Sequence, residues 1–314
     1  MFDFSSLYHR LIKNLKWLKK WAKHNQIEAF RLYDRDIPEF PFAMDLYRDN
    51  LYVQEYKTRW RMEENDYSLW LEGVRATIAQ ALQLEMSSIV LSLRQKQKGK
   101  NQYEKKNSRG KQYIVKENGL SFWIDLGTYI DVGLFLDHRP MRAYVGEHAA
   151  NKRFLNLFCY TASFSVYAAA GGCSYSESVD LSNRYLEWAA KNYSLNHLDL
   201  GAHRLIKQDV FAYLEKAIEG KKQFDLIFLD PPSFSNSKGM RGILDIQRDQ
   251  CWLIDQCMQL LSIKGLLIFS TNLRSFKLAE QLHNHYQITN QTKRSIPRDF
   301  RNQKIHQCWW ITHQ

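Results

Sequence analysis

Arg153-Phe154-Leu155-Asn156-Leu157-Phe158-Cys159-Tyr160-Thr161-Ala162-Ser163-Phe164-Ser165-Val166-Tyr167-Ala168-Ala169-Ala170-Gly171-Gly172, a short polar run, and then Glu177-Ser178-Val179-Asp180 decide the fold. The first five residues have the make-up of a short buried strand. Tyr160 to Ser163 is small and polar enough to turn, and Thr161 or Ser163 can cap a helix. The Ala-rich and aromatic run to Ala170 reads as that helix, and Gly171-Gly172 stops it. A second strand follows and ends on an acid. Strand, turn, helix, strand and acid make one βαβ unit, whose ligand crevice lies at the carboxyl ends of the strands.

An Asp at the tip of the second strand is the usual acceptor for ribose hydroxyls. Asp180 could equally cap a helix starting at Ser182, and taken alone the two readings are even. The turn separates the cofactors. A dinucleotide pyrophosphate needs close backbone approach, hence G-x-G-x-x-G. No glycine occurs between Gly146 and Gly171. The turn therefore disfavours a pyrophosphate and suits a phosphate-free nucleoside cofactor such as S-adenosylmethionine.

Moving outward, 314 residues point to about two domains, and 45% hydrophobic content is ample for sizeable cores. The net charge of +11 suits a polyanion, with RNA, DNA and anionic membrane as candidates, although many basic proteins carry such charge for solubility alone. No apolar run is long enough to span a membrane, and the N-terminus lacks the apolar core of a signal peptide. The five cysteines are odd in number and form no C-x-x-C pair, which speaks against a disulfide framework or a zinc site and fits a reducing cytoplasm. No metal site is expected.

Residues 7–24 read as an amphipathic helix with Leu11, Leu15, Leu18 and Ala22 on one stripe and Lys13, Lys16, Lys20 and Lys23 roughly opposite. The lysine stripe is a candidate for RNA backbone contact, although any single lysine there can simply be solvated. Two or three strands are expected over 27–56, broken by Pro38 and Pro41. A helix is expected over 64–83, with Leu71, Val74, Ile78 and Leu82 inward, and a strand over Ile89 to Leu93. Arg94 to Lys111 holds eight basic residues and one acid, and reads as a loop. There Arg94, Lys96, Lys98 and Lys100 could bind phosphates and Tyr103 could stack on a base. Asn118-Gly119 predicts a hairpin turn, which closes a smaller α+β, RNA-binding domain at 1–126. Asp137 is a candidate cap for a following helix. From 127 to 314 the strands and helices alternate, which predicts an α/β domain with a doubly wound, mostly parallel sheet.

Asp209 follows the third strand of that domain. Its carboxylate can accept from an adenine amine or cap the next helix, and the sequence does not separate the two. Asp230-Pro231-Pro232-Ser233-Phe234 is more specific. Two prolines after a strand fix the backbone and remove two donors, so carbonyls are left to accept from a base amine and Phe234 to stack on its ring.

Together these pieces resemble class I S-adenosylmethionine-dependent methyltransferases. Phe154 to Ser163, Val179 to Ser182, Leu229 to Lys238 and Ile305 to Trp309 are most similar to the bacterial 23S rRNA guanine-N7 methyltransferase module. In many relatives that module is the C-terminal half of a fused, two-activity enzyme. The likeness runs from about Tyr8 to Thr312 and includes Arg94 to Tyr103 and Gly133 to Arg139. It implies a Rossmann-like fold that binds S-adenosylmethionine through Asp137, Arg139, Asn156, Phe158, Tyr160, Thr161, Ala162, Ser163, Asp180, Leu181, Ser182, Asp209, Val210 and Asp230. It places Asp230, Pro231, Pro232, Ser233 and Phe234 against the target base. It also implies 23S rRNA or a large-subunit precursor as partner. Relatives usually have glycine where this chain has Ala162, and the fused partner half is not in this sequence.

Related enzymes that methylate cytosine C5 need a cysteine nucleophile, and Thr271 stands where that thiol would be. Exocyclic-amine methylation and a non-catalytic RNA-binding role remain as alternatives. Guanine N7 needs no base, because its in-plane lone pair carries no proton at neutral pH.

Overall fold

A computed structural model describes residues 2–56, 62–94, 112–127, 132–237, 239–240 and 242–314. The chain divides into two compact units, one of residues 1–136 with 298–301, the other of residues 137–297 with 302–314.

In the first unit, α1 (Ser5–His24) buries Leu7, Leu11, Leu18 and Ala22, and α2 (Glu64–Leu82) buries Trp70, Val74 and Ile78. Both rows recur at helical spacing, so one apolar stripe per helix meets the core. Strands β1 (Ala29–Asp34), β2 (Phe42–Tyr47) and β3 (Asn50–Tyr56) form an antiparallel meander. α2 then carries the chain to β4 (Ile89–Arg94), which pairs parallel to β3. Strands β5 (Gln112–Glu117) and β6 (Leu120–Asp125) form the expected hairpin. Asn118 and Gly119 both have positive φ, as its two-residue turn requires. The distant segment 298–301 completes this unit. Asp299 accepts from the Arg31 amide at 2.9 Å, while the Arg31 side chain bonds Asp45 at 2.7 and 2.9 Å.

The second unit is built on a sheet of seven described strands in the order β14-β15-β13-β10-β7-β8-β9. The central strand β7 (Arg153–Leu157) pairs parallel with β8 (Tyr175–Asp180) and β10 (Phe224–Leu229). β9 (His203–Lys207) extends the sheet beside β8, and β13 (Leu261–Thr271) extends it beside β10. β15 (Gln307–His313) runs antiparallel to both β13 and β14 (Tyr286–Asn290). A two-residue pair, β11 (Phe234–Ser235) and β12 (Leu244–Asp245), stands apart. The helices are α3 (Arg139–His148), α4 (Ser163–Ala170), α5 (Asn183–Leu195), α6 (Val210–Glu219), α7 (Ile246–Leu260) and the short α8 (Thr292–Ser295). Phe154, Leu155, Asn156 and Leu157 are all buried, as befits a parallel strand covered on both faces. From β7 the chain winds outward to β8 and β9, then returns to β10 on the other side. The switch point is therefore between β7 and β10, where an open α/β sheet opens its crevice.

Helices α3 and α4 meet at two glycines. A methyl on Gly171 would lie 2.0 Å from the Gly146 carbonyl oxygen, a backbone atom that cannot step aside. Gly171→Ala is expected to destabilise the chain by about 3 kcal/mol through overpacking. The denaturant midpoint measures it, and an unchanged midpoint contradicts the contact. Gly172 supplies the left-handed φ of +83° that turns the chain toward β8.

Candidate functional site

The parallel strands β7, β8, β9 and β10 all end on the same side of the second unit's sheet. After β7 the chain makes a tight turn in which Phe158, Tyr160 and Ala162 have φ of 56°, 52° and 56°. These are non-glycine residues in left-handed backbone, a conformation that costs roughly 1–2 kcal/mol each. Asp180, at the tip of β8, holds the turn. One carboxylate oxygen accepts from the Tyr160 amide at 2.9 Å and the other from the Ser182 amide at 2.8 Å. Asp180 therefore does more than cap a helix, and the N-cap of α5 is Ser182. Burial raises the Asp180 pKa above the ordinary carboxylate value, and the backbone N–H groups of Ser182, Tyr160 and Leu181 offset this only in part.

The expected cap at Thr161 or Ser163 is corrected by this geometry. The left-handed Ala162 is the N-cap of α4 and offers no side-chain acceptor. The helix begins at Ser163, so Thr161 falls outside it, and its carbonyl accepts from Asn192 Nδ2 at 3.0 Å. A left-handed position of this kind favours glycine, and Ala162 occupies it at a backbone cost. Ala162→Gly is expected to stabilise the chain by about 1 kcal/mol, since relief of the backbone and the better cap outweigh one lost buried methyl. A thermal midpoint at or below that of the parent chain would contradict it.

Asp209 is the N-cap of α6 and accepts from the Phe211 amide at 3.1 Å. The Gln208 amide donates to the Asp180 carbonyl at 3.1 Å, so the two acids stand on neighbouring strand ends. Val210 is buried in the core. Leu181 and Ser182 are half-buried.

After β10, Asp230 is half-buried and Pro231 buried, while Phe234 is 55% exposed. Asp230 meets a group that the sequence reading missed. His138 Nε2 lies 3.3 Å from Asp230 Oδ2 and 3.9 Å from Asp137 Oδ2. Asp137 Oδ2 lies 2.8 Å from His306 Nδ1, and His306 Nε2 lies 2.7 Å from Ser295 Oγ. The two imidazoles stack at 4.6 Å and 7°. Burial disfavours the His138 cation, but Asp230 and Asp137 outweigh it and the pKa is raised. Burial likewise opposes ionisation of Asp137, and His138 and His306 reverse this, holding it well below the usual carboxylate range. The expectation that Asp137 caps a helix is corrected. Asp137 lies in a 3-10 turn, the N-cap of α3 is His138, and the Asp137 carboxylate is engaged by His306. Arg139, next along, is buried. His138 and His306 both lie inside quoted motifs, and that was the one signal that could have found them.

The lysines Lys13, Lys16, Lys20 and Lys23 are all exposed on α1, on the face away from its buried leucines. Lys96, Lys98, Lys100, Tyr103 and the Arg94 side chain lie outside the described residues.

Two features of the crevice fit an amino-acid-bearing nucleoside. An uncapped helix start suits a carboxylate. Asn156 Oδ1, in the strand beneath α4, is buried with no hydrogen-bond partner among the described residues. It can take a donor such as an α-amino group.

The family model for S-adenosylmethionine-dependent methyltransferases matches residues 43–275. The chain belongs to this family. The methyltransferase is 52% identical over 314 residues to ribosomal RNA large subunit methyltransferase K of Neisseria meningitidis, covering 100% of this chain and 89% of that protein. It is 47% identical to ribosomal RNA large subunit methyltransferase K/L of Hahella chejuensis, where it covers 97% of this chain but only 42% of the longer protein. A solved structure of SMU.776 complexed with SAH superposes with a TM-score of 0.71 at 26% identity, covering 97% of this chain and 81% of that one. The methyltransferase from Agrobacterium tumefaciens shares the fold, with a TM-score of 0.61 at 19% identity over 87% of each chain. The family's cofactor is S-adenosylmethionine, and the fold is the Rossmann-like α/β one expected. No described helix is long and apolar enough to cross a membrane.

Proposed function

We propose that the methyltransferase modifies N7 of a guanine in 23S rRNA. The carrying observation is Asp230-Pro231-Pro232-Ser233-Phe234 following β10, whose neighbour across the switch point is β7, with a half-buried carboxylate and, four residues on, an exposed aromatic ring. Relatives named for the large-subunit rRNA support the substrate class. The first unit, with its exposed lysine stripe, is proposed as the RNA-binding part.

When bound, S-adenosylmethionine supplies a methyl group on a sulfonium. Phe158 to Ser163 would cradle its methionine part, Asp180 its ribose, and Asp209 with the Val210 backbone its adenine. Asp137 and Arg139 would flank the crevice. Phe234 would stack on a guanine drawn out of its stack, and Asp230 would accept from the base's N–H groups. The N7 lone pair would form the new bond as the C–S bond breaks, the sulfur leaving as a neutral thioether. No proton moves, so positioning carries the rate, and Asp230 stabilises the positive charge that grows on the ring. C5 chemistry is disfavoured because the thiols near the crevice are unsuited to attack. Cys159 and Cys308 are buried, and burial pushes both well above the ordinary thiol range.

The test is incubation with methyl-labelled cofactor and unmodified 23S transcript, followed by nucleoside analysis. Label in 7-methylguanosine is the expected result. Label in 5-methylcytidine or an N-methylated exocyclic amine would overturn the assignment.

A further inference from the structure

The carboxylate of Asp230 is the one acid in the strand-exit motif, and its orientation decides which base donors it can meet. A carboxylate on a half-buried loop end rotates freely unless a neighbour holds it. Here the neighbour is His138, whose Nε2 lies 3.3 Å from Asp230 Oδ2. The His138 ring is itself immobilised. Its face stacks on His306, and it meets Phe164 and Phe228 nearly edge-on at 5.8 and 5.9 Å. Phe164 and Phe228 in turn stack on each other at 3.6 Å. Behind the ring, Asp137 and His306 are bonded at 2.8 Å and His306 is held by Ser295 at 2.7 Å. Residues remote in sequence, Asp137, Ser295 and His306, therefore pack around His138, and His138 alone reaches the Asp230 carboxylate.

We propose that His138 is a positioning residue for Asp230, held by its stack on His306, which is itself bonded to Asp137 and Ser295, so that His138 fixes which carboxylate oxygen faces the base. His138 engages Oδ2 and leaves Oδ1 to the incoming donors. The groups facing His138 are Asp137 and Arg142 from its own segment, Asp230 after β10 and His306 before β15. Arg142 opposes the imidazolium, whereas the two carboxylates favour it. The inference rests on the proposed function for the identity of the base, but not for the His138–Asp230 link itself.

Three comparisons test it. His138→Ala is expected to lower kcat on 23S transcript by about tenfold or more, the size of a lost charge-assisted bond, with the Kd for S-adenosylmethionine unchanged. His138→Gln, whose amide can still donate to Asp230, recovers most of the rate. In the Asp230→Asn background, His138→Ala adds nothing, because the two act as one unit. Wild-type kcat in both His138 variants, or losses that simply multiply with Asp230→Asn, would overturn the proposal.

A readout without cofactor or RNA separates this from the function assignment and serves if His138→Ala does not fold. A raised folded-state pKa means that the pair's stabilisation is complete below the unfolded imidazole value of about 6.5 and is lost as pH rises through the folded value. The thermal midpoint of the wild-type chain minus that of His138→Gln should therefore shrink as pH rises above about 6.5. A difference that is flat with pH, or that grows, contradicts the link. If that difference behaves as expected while the wild-type chain puts no label into 7-methylguanosine, the function assignment fails and the His138–Asp230 link stands.

Discussion

Asp180→Ala lowers the affinity for S-adenosylmethionine by about a hundredfold or more. The size follows from two losses. One is the proposed charge-assisted acceptor for the ribose, worth about 1.5–3 kcal/mol. The other is the tether that holds the turn, since the same carboxylate accepts from the Tyr160 and Ser182 amides at 2.9 and 2.8 Å. Without it, the left-handed Tyr160, which stands between the left-handed Phe158 and Ala162, loses the acceptor of its amide. Titration calorimetry reads the effect directly. The pH dependence has a definite sign as well. Because burial raises the Asp180 pKa, protonation removes the acceptor at higher pH than for an ordinary Asp near 3.9. Affinity should therefore weaken on acidification before most surface carboxylates titrate. A variant that binds as tightly as the parent chain would show that ribose recognition lies elsewhere.

Asp230→Ala is expected to lower kcat by about 10²–10³ while leaving cofactor affinity within a fewfold of the parent. Removing one preorganised charge that faces developing transition-state charge costs that much in other acyl- and group-transfer sites. The split between kcat and binding is the informative part. Asp230 stands at the end of β10, outside the turn held by Asp180, so the loss should fall on the chemical step. Single-turnover transfer to 23S transcript, with cofactor Kd measured in parallel, separates the two. Full turnover in this variant would remove Asp230 from the mechanism. Loss of cofactor binding with an unchanged rate at saturation would reassign it to the cofactor.

Much of this arrangement is legible in the sequence because the deciding signals are local. β7 falls on the five residues read as a buried strand, Arg153 to Leu157, and α4 ends at Ala170, where Gly171-Gly172 stop it. The central parallel strands β7, β8 and β10 are runs largely buried on both faces, α1 carries one apolar stripe, and Gly171-Gly172 and Asp180 mark breaks. Where the local signals mislead, the reason is long-range. Thr161 and Ser163 are good caps by composition, but the turn held by Asp180 puts Ala162 at the helix start instead. Asp137 is a good cap by composition, but His306 engages its carboxylate from across the chain. β2 is hard to single out because Pro38 and Pro41 precede it, whereas its pairing on both sides with β1 and β3 makes it a strand. The placement of 298–301 in the first unit depends on Asp299 meeting the Arg31 amide, which no periodicity encodes. The His138–Asp230 link is invisible for the same reason, since each residue looks like part of a separate motif.

The most direct test of the central claim is a crystal structure of the chain grown with S-adenosylhomocysteine. The account predicts the ribose hydroxyls within about 3 Å of the Asp180 carboxylate, a hydrogen-bond distance. It also predicts the amino-acid end against the start of α4 and Asn156, and the adenine beside Asp209. A nucleoside bound away from the β7–α4 turn, or an intact turn that stays empty at saturating ligand, would contradict it.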